Sequence, residues 1–449
     1  MSRYQEIRDS KIDWIGKIPS HWNIDKIKYI FFQRKEKNNP IQTDNILSLT
    51  IQQGVIPISE KKSGGNKPKD DLSKYNLTHE GDIVMNSMNV IVGSVGISNY
   101  FGVVSPVYYV LRQINSEENI RYYHHLFRTK IFQKSLMGLG NGILIKKTES
   151  SGKLNTIRMR IPIDKLNQVI IPHPPSSEQT QIVSFLDNKT QKIDELIEKT
   201  EQKIKLLKEK RTSLINHCVT KGLYPDVDMK DSGVEWIGEI PRDWNIIPLK
   251  FVGDFQNGIG KGSEFFGSGF PFMNYGDVYN NEITPISVDG KVQSDEIERE
   301  RYSVLRGDVF FTRTSESKDD IGVSSVCLKT LDESVFSGFV IRFRFFDNSQ
   351  IPEYSRYHFQ THWKKVFIES KMNIVTRSSL SQQVLGQLPV LIPSNEQQIQ
   401  IVEYLDEQTQ KIDSTIEKET QRIELLKEYR QSLISEVVTG KVDVRDYNG

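Results

Sequence analysis

One long helical stretch occurs twice in this chain, and that repeat restricts the possible folds more than any other feature. Residues 182–194 read IVSFLDNKTQKID and residues 401–413 read IVEYLDEQTQKID, a separation of 219 residues. LLKEKRTSLI (206–215) returns as LLKEYRQSLI (425–434) at the same separation. So long a period is not that of a solenoid; it points to a duplicated protein. Ile193, Ile197, Ile204, Leu207 and Leu214 form an apolar stripe, and Ile412, Ile416, Ile423, Leu426 and Leu433 form it again. Steps of three, four and seven with Glu and Lys between them predict a coiled-coil seam. Ser176-x-x-Gln179 and Ser394-x-x-Gln397 predict capping boxes, and Gly222 and Gly440 predict the stops. The first copy ends close to the block from which the second leaves, so the paired helices are expected to run antiparallel. About 45 helical residues make a rod of roughly 65–70 Å.

The segments between the helices also repeat. SKIDWIGKIPSHW (10–22) returns as SGVEWIGEIPRDW (232–244), two tryptophans bracketing a Gly turn and an Ile-Pro step. This reads as a structural clasp packed on a domain surface, expected near the C-terminus for the first copy. Gly81-Asp82-Ile83 matches Gly307-Asp308-Val309, and Val95-Gly96-Ile97 matches Ile321-Gly322-Val323. GDIVMNSM (81–88), VVSPVYYVLRQI (103–114) and SGFVIRFRF (337–345) predict strands, and 121–136 predicts a helix. KKSGGNKPKDD (61–71) and GNGILIKKTESSGK (140–153) predict loops. A fixed frame with differing loops is expected when one scaffold carries two specificities.

Composition matters here mainly by segment. Residues 1–170 hold 25 Lys and Arg against 15 Asp and Glu, while residues 231–391 hold 17 against 22. The first block therefore has the electrostatics of a polyanion binder and the second does not. With Cys218 and Cys327 alone, a disulfide framework is excluded and a reducing cytosol is the expected compartment. No apolar run approaches the roughly 20 residues a membrane helix needs, and the N-terminus lacks a signal-peptide core.

No catalytic constellation emerges. Gly258-Ile-Gly-Lys-Gly-Ser263 lacks the phosphate-loop pattern and reads as a turn. His358 and His362 lie four apart without a third ligand, and Glu201-Gln202-Lys203 falls within the coiled coil. What remains are basic and amide side chains flanking loops. In the first block these are Lys61, Lys62, Asn86, Asn89, Lys146, Lys147, Arg158 and Arg160. In the second they are Arg313, Lys318, Arg342, Arg344, Arg377, Ser378 and Ser379. Arg reads guanine edges, Asn reads adenine and Lys neutralises phosphate, so these are DNA-binding candidates.

VTKGL (219–223), KDSGVEWIGEIPRDW (230–244), the two LDxxTQKID helices and VVTGKVDVR (437–445) resemble the specificity subunits of type I restriction–modification systems. The resemblance spans the whole chain. It implies an α+β architecture: two duplicated target-recognition domains separated by a long antiparallel two-helix coiled coil, with pseudo-twofold symmetry. The expected boundaries are 1–175 and 223–393 for the recognition domains, 176–222 for the central helix and 394–449 for the second helix and tail. It further implies a non-catalytic subunit that reads a bipartite double-stranded DNA target. Two modification subunits and the restriction subunits would dock on it. S-adenosylmethionine, ATP and magnesium belong to those partners, with no cofactor or metal on this chain. A structural coiled-coil adaptor and a self-contained methyltransferase or nuclease are the alternative readings.

Overall fold

The computed structural model describes residues 3–51, 53–61, 70–89, 92–143, 158–315, 320–371 and 378–447. The chain divides into two compact units, one of residues 1–200 with 421–449 and one of residues 201–420. Both units are mixed α and β, and each contains part of both long helices, Ser176–Lys221 and Asn395–Val438.

The first unit is built on a four-stranded antiparallel sheet. Its order is Phe31–Gln33, Tyr108–Gln113, Ile83–Asn86, Val95–Ile97. Phe31, Tyr122, Tyr123, Phe127 and Phe132 fill the core against it. Where apolar spacing predicts one helix over 121–136, there are two, Ile120–Phe127 and Lys130–Ser135. Thr129 breaks them: its backbone is extended, and its side chain accepts the Phe132 amide as an N-cap. The strand predicted over 103–114 is likewise two, Gly102–Val104 and Tyr108–Gln113. Pro106 between them has no N–H to give a ladder, and the Tyr108 amide turns back to the Ser105 carbonyl at 2.9 Å.

The second unit repeats the strand order: Gly253–Asn257, Val340–Phe345, Val309–Thr312, Ser324–Val326. It adds a three-stranded piece around Phe266–Met273. The recurring Gly-Asp step has the same job in both units. Gly81 (φ +82°) and Gly307 (φ +95°) take left-handed turns that a side chain would strain. The buried Asp that follows accepts a turn amide, from His79 to Asp82 or from Leu305 to Asp308. It also binds an arginine: Arg34 to Asp82 at 2.8 Å, Arg344 to Asp308 at 2.6 Å.

The clasps are short hairpins, Ile7–Asp9 with Lys17–Pro19 and Met229–Asp231 with Glu239–Pro241. Trp22 and Trp244 are fully buried behind them. Within the first unit the clasp meets the end of the second long helix. Gly440 (φ +69°) lies so close to Pro19 and Trp22 that an added Cβ would fall 2.4 Å from Pro19. Lys441 donates to the carbonyls of Ile15 and Lys17. In the second unit Gly222 (φ +75°) packs on Trp244, and Lys221 donates to the Glu239 carbonyl. The N-terminal clasp thus sits beside the C-terminal tail, as the repeat predicts. A buried tyrosine also caps each helix end, Tyr122 on the Val438 carbonyl and Tyr354 on that of Val219.

The seam residues all face inward. In the first unit Ile193 and Leu433 are buried in the main core, with Ile197 and Leu426 packed against it. Arg430 binds Asp194 at 2.9 Å across the two helix segments. In the second unit Leu214 packs on the core, Ile412 is buried, and Ile204, Leu207 and Ile416 are half-buried. Lys203 binds Glu419 and Arg211 binds Asp413, so the two helix segments run antiparallel there. Ile423, in the first unit, is buried. Of the two predicted capping boxes only Ser394–Gln397 forms, with reciprocal bonds of 3.1 and 3.3 Å. Gln179 is buried and instead bonds the Pro174 carbonyl and the Asn119 amide; Gln398 does the same with Pro393 and Ile351. Gln179 is the counterpart of Gln398, so the first box is read one residue out of register. Among the described residues no helix is long and apolar enough to cross a membrane.

Candidate nucleic-acid interface

In each unit the loop leaving the Gly-Asp strand meets the strand that precedes the last short helix. The Ile161 amide donates to the Ser87 carbonyl at 3.0 Å in the first unit, and the Leu380 amide to the Arg313 carbonyl at 2.8 Å in the second. This junction gathers most of the described candidates. Asn86 ends the strand Ile83–Asn86; its side chain is buried and accepts the Met88 amide, fixing the loop that exposes Asn89. Arg158–Arg160 pairs with Asn141–Ile143, and Arg160 is exposed. Tyr109 anchors the same place by donating to the Ile161 carbonyl at 2.8 Å. In the second unit Thr314–Ser315 pairs with Ser378–Ser379, so Arg313 and Ser379 are neighbours.

Arg160 also walls a cleft of about 510 Å³ with Arg34, Lys35, Lys37 and Asn76. Lys35 and Lys37 were not singled out from the sequence. The basic run Gln33-Arg34-Lys35-Glu36-Lys37 was the available signal, but its last strand residue and first loop residues are indistinguishable without the sheet. Burial opposes the charge of Arg34, yet its hydrogen bonds to Asp82 and Glu36 outweigh that and raise its pKa. Lys37 holds Asn76 at 2.6 Å.

Other candidates are committed to the fold. Arg342 is buried and donates to the Ser303 and Arg301 carbonyls, and burial pushes its pKa down to about 10. Arg344 is the partner of Asp308. These two arginines support the sheet and do not reach for a ligand. Lys61 is half-buried and its amide closes a short 3-10 turn on Ile58. Lys62, Lys146, Lys147, Lys318 and Arg377 lie outside the described residues.

The weak catalytic motifs resolve structurally. Lys261, in the Gly-rich turn, is spent on Glu298 at 2.6 Å and the Gln293 carbonyl. His358 ends one helix and His362 begins the next, so they do not share a face. Burial first, then the Lys364 charge, lowers the His358 pKa to about 3, which keeps it neutral. Burial raises both thiols, Cys218 to about 11. Among the described residues no three His, Cys, Asp or Glu side chains are grouped to hold a metal ion.

Comparison with known proteins addresses the family directly. Residues 241–427 match the type I restriction modification DNA specificity domain. The type I restriction enzyme MjaVIII specificity subunit of Methanocaldococcus jannaschii is 27% identical over 68% of this chain and 70% of its own length. The putative MjaX specificity subunit of the same organism is 24% identical over 98% of both chains. The matched residues thus carry the type I specificity domain, and along its length the chain is similar to type I specificity subunits. Type I specificity subunits are non-catalytic DNA-recognition subunits. Among solved structures, a chain from a study of type I system assembly and conformational transition shares the fold. Its TM-score is 0.69 at 15% identity, over 95% of this chain and 99% of that one. The HsdS subunit of Thermoanaerobacter tengcongensis follows with a TM-score of 0.54 at 15% identity, over 95% and 98%.

Proposed function

We propose that this specificity subunit reads a bipartite duplex target, one half with each unit, through the paired junctions at Asn86–Asn89 with Arg158–Arg160 and at Arg313 with Ser378–Ser379. The observation that carries this reading is that one backbone junction recurs in both units with different side chains on it. A common frame with divergent edges is what two different half-sites require. The two recognition blocks are duplicated domains, and the helix pair with its Ile/Leu seam spaces them in coiled-coil fashion. Two modification subunits and the restriction subunits dock on this chain, and they carry S-adenosylmethionine, ATP and magnesium. The complex acts in the cytosol.

Replacement of Arg160 by Ala tests the assignment. A bidentate arginine–guanine contact discriminates by about 1–3 kcal/mol. Methylation in cells should relax within one half-site only, and Arg313→Ala should relax the other. Relaxation of both halves by either variant, or of neither, would remove these residues from the reading surface.

A further inference from the structure

Each unit holds a polar cleft set between its globular part and its portion of a long helix. In the first unit a cleft of about 380 Å³ is lined by Gly93, Arg128, Lys130, Gln133, Arg430 and Ile434. In the second a cleft of about 430 Å³ is lined by Gly322, Gln360, His362, Lys365, Arg211 and Ile215. These are the same positions. Arg430 and Arg211 stand at matching places in LLKEYR and LLKEKR, and each binds the matching aspartate of the opposite helix, Asp194 or Asp413. Gly93 and Gly322 have positive φ and precede the residue whose carbonyl takes the amide of Asn86 or Thr312. The counterpart of Gly322 is therefore Gly93 and not Gly96, which the sequence repeat matches to it and which pairs in the sheet where Ser325 does. Lys130 and His362 each open the helix that follows a buried threonine, Thr129 or Thr361.

The clefts are cationic, and the second holds a buried donor without a partner among the described residues. Arg128 and Arg430 share the first cleft, and burial followed by repulsion from Arg430 lowers the Arg128 pKa. Lys364 lines the second with its ammonium group bonded to the Ser324 hydroxyl at 2.9 Å, and burial lowers its pKa to about 7. One buried lining donor, Nε2 of Gln360 in the second cleft, has no hydrogen-bond partner among the described residues. Buried cations and donors of this kind call for an anion. Because the clefts recur in both units while the reading junctions differ, the anion must be common to both halves. The sugar–phosphate backbone is common to every half-site, and each lining holds three Lys or Arg side chains, the residue types that neutralise phosphate.

We propose that each cleft binds a phosphate of the DNA backbone, giving the chain two corresponding, sequence-independent grips beside its two reading junctions. This rests on the DNA-reading function proposed above. Glu282 lines the second cleft and holds Arg211 at 3.0 Å, so the grip there depends on Lys364 and Lys365 and is the weaker one.

The test uses the full chain assembled with its modification subunits, titrated against a duplex bearing the sequence methylated in cells and against a scrambled duplex at 50–200 mM salt. Lys130→Gln and Lys365→Gln, both on exposed side chains, keep the fold intact; Arg128→Gln with Lys130→Gln is the stronger pair. For each lost phosphate contact the slope of log affinity against log salt should become shallower by about 0.9, equally for both duplexes. Unchanged slopes overturn the proposal. So does loss of the modification subunits on gel filtration with the DNA slope retained, which would assign the clefts to carboxylates of a partner. If the wild-type complex fails to distinguish the two duplexes, the reading function falls while the slopes still report on the clefts.

Discussion

His173 shows how a single side chain couples the fold to pH. Its Nδ1 lies 2.6 Å from Asp25 and its Nε2 lies 3.2 Å from Glu118. The Glu118 hydrogen bond, helped by Asp25, raises the His173 pKa against the opposing effect of burial. Burial would raise Glu118, but its bonds to His173 and Tyr123 outweigh that and lower it. A histidine with a raised folded pKa stabilises fully below its unfolded value of about 6.5 and loses that contribution as pH rises through the folded value. A carboxylate with a lowered pKa stabilises above its unfolded value of about 4.3 and loses it as pH falls through the folded value. The cluster therefore stabilises most between about pH 4.5 and 6.5. Wild-type melting temperature should drop more steeply from pH 6.5 to 8.5 than that of His173→Gln; equal slopes would show that the contact contributes nothing. At Gly440 the constraint is steric: Gly440→Ala forces a left-handed residue against Pro19. Thermal denaturation should show a loss of about 2–3 kcal/mol. Gly81→Ala meets nothing within 4 Å and should cost only the conformational part, about 1 kcal/mol.

At the scale of elements, the long helices were the most legible part of the sequence. A stripe kept over six turns has one physical explanation, a buried seam, and all ten residues in it are buried or half-buried. Leu433→Ala, 2% exposed, should cost about 2–4 kcal/mol in chemical denaturation. Leu206→Ala, 64% exposed and outside the stripe, should stay within about 0.5 kcal/mol. Equal effects would contradict the seam. The Gly-Asp step was visible as a repeat, but its purpose was not. The arginine that neutralises each aspartate arrives from elsewhere in the sheet, just past the strand Phe31–Gln33 in one case and within Val340–Phe345 in the other. For the same reason Arg342 and Arg344 looked like ligand contacts: sequence displays a charge but not the carbonyls or the carboxylate distant in sequence that satisfy it. Breaks inside predicted elements were missed where one polar residue decides the matter, as Thr129 does.

For the whole molecule, the proposed function divides the chemistry between chains: this chain would provide the two recognition frames and the helices, and partner subunits the modification and restriction chemistry. The asymmetry of charge seen in the sequence, excess positive in residues 1–170 and excess negative in residues 231–391, has a local counterpart. Arg211 is held by both Glu282 and Asp413, whereas Arg430 is held by Asp194. DNA affinity should accordingly depend more on basic residues of the first unit, and neutralising Lys35 and Lys37 should weaken binding to all duplexes alike, as measured by anisotropy. The half-sites themselves were not legible, because reading depends on where a few exposed side chains meet base edges, and no periodicity or composition encodes that. The central claim, two independent readers on one chain, is tested most directly by mapping methylated bases genome-wide in cells expressing this subunit with its modification subunit. The account predicts one split sequence, two short specified blocks separated by a fixed unspecified spacer. A single uninterrupted recognition sequence, or methylation without any common sequence, would contradict it.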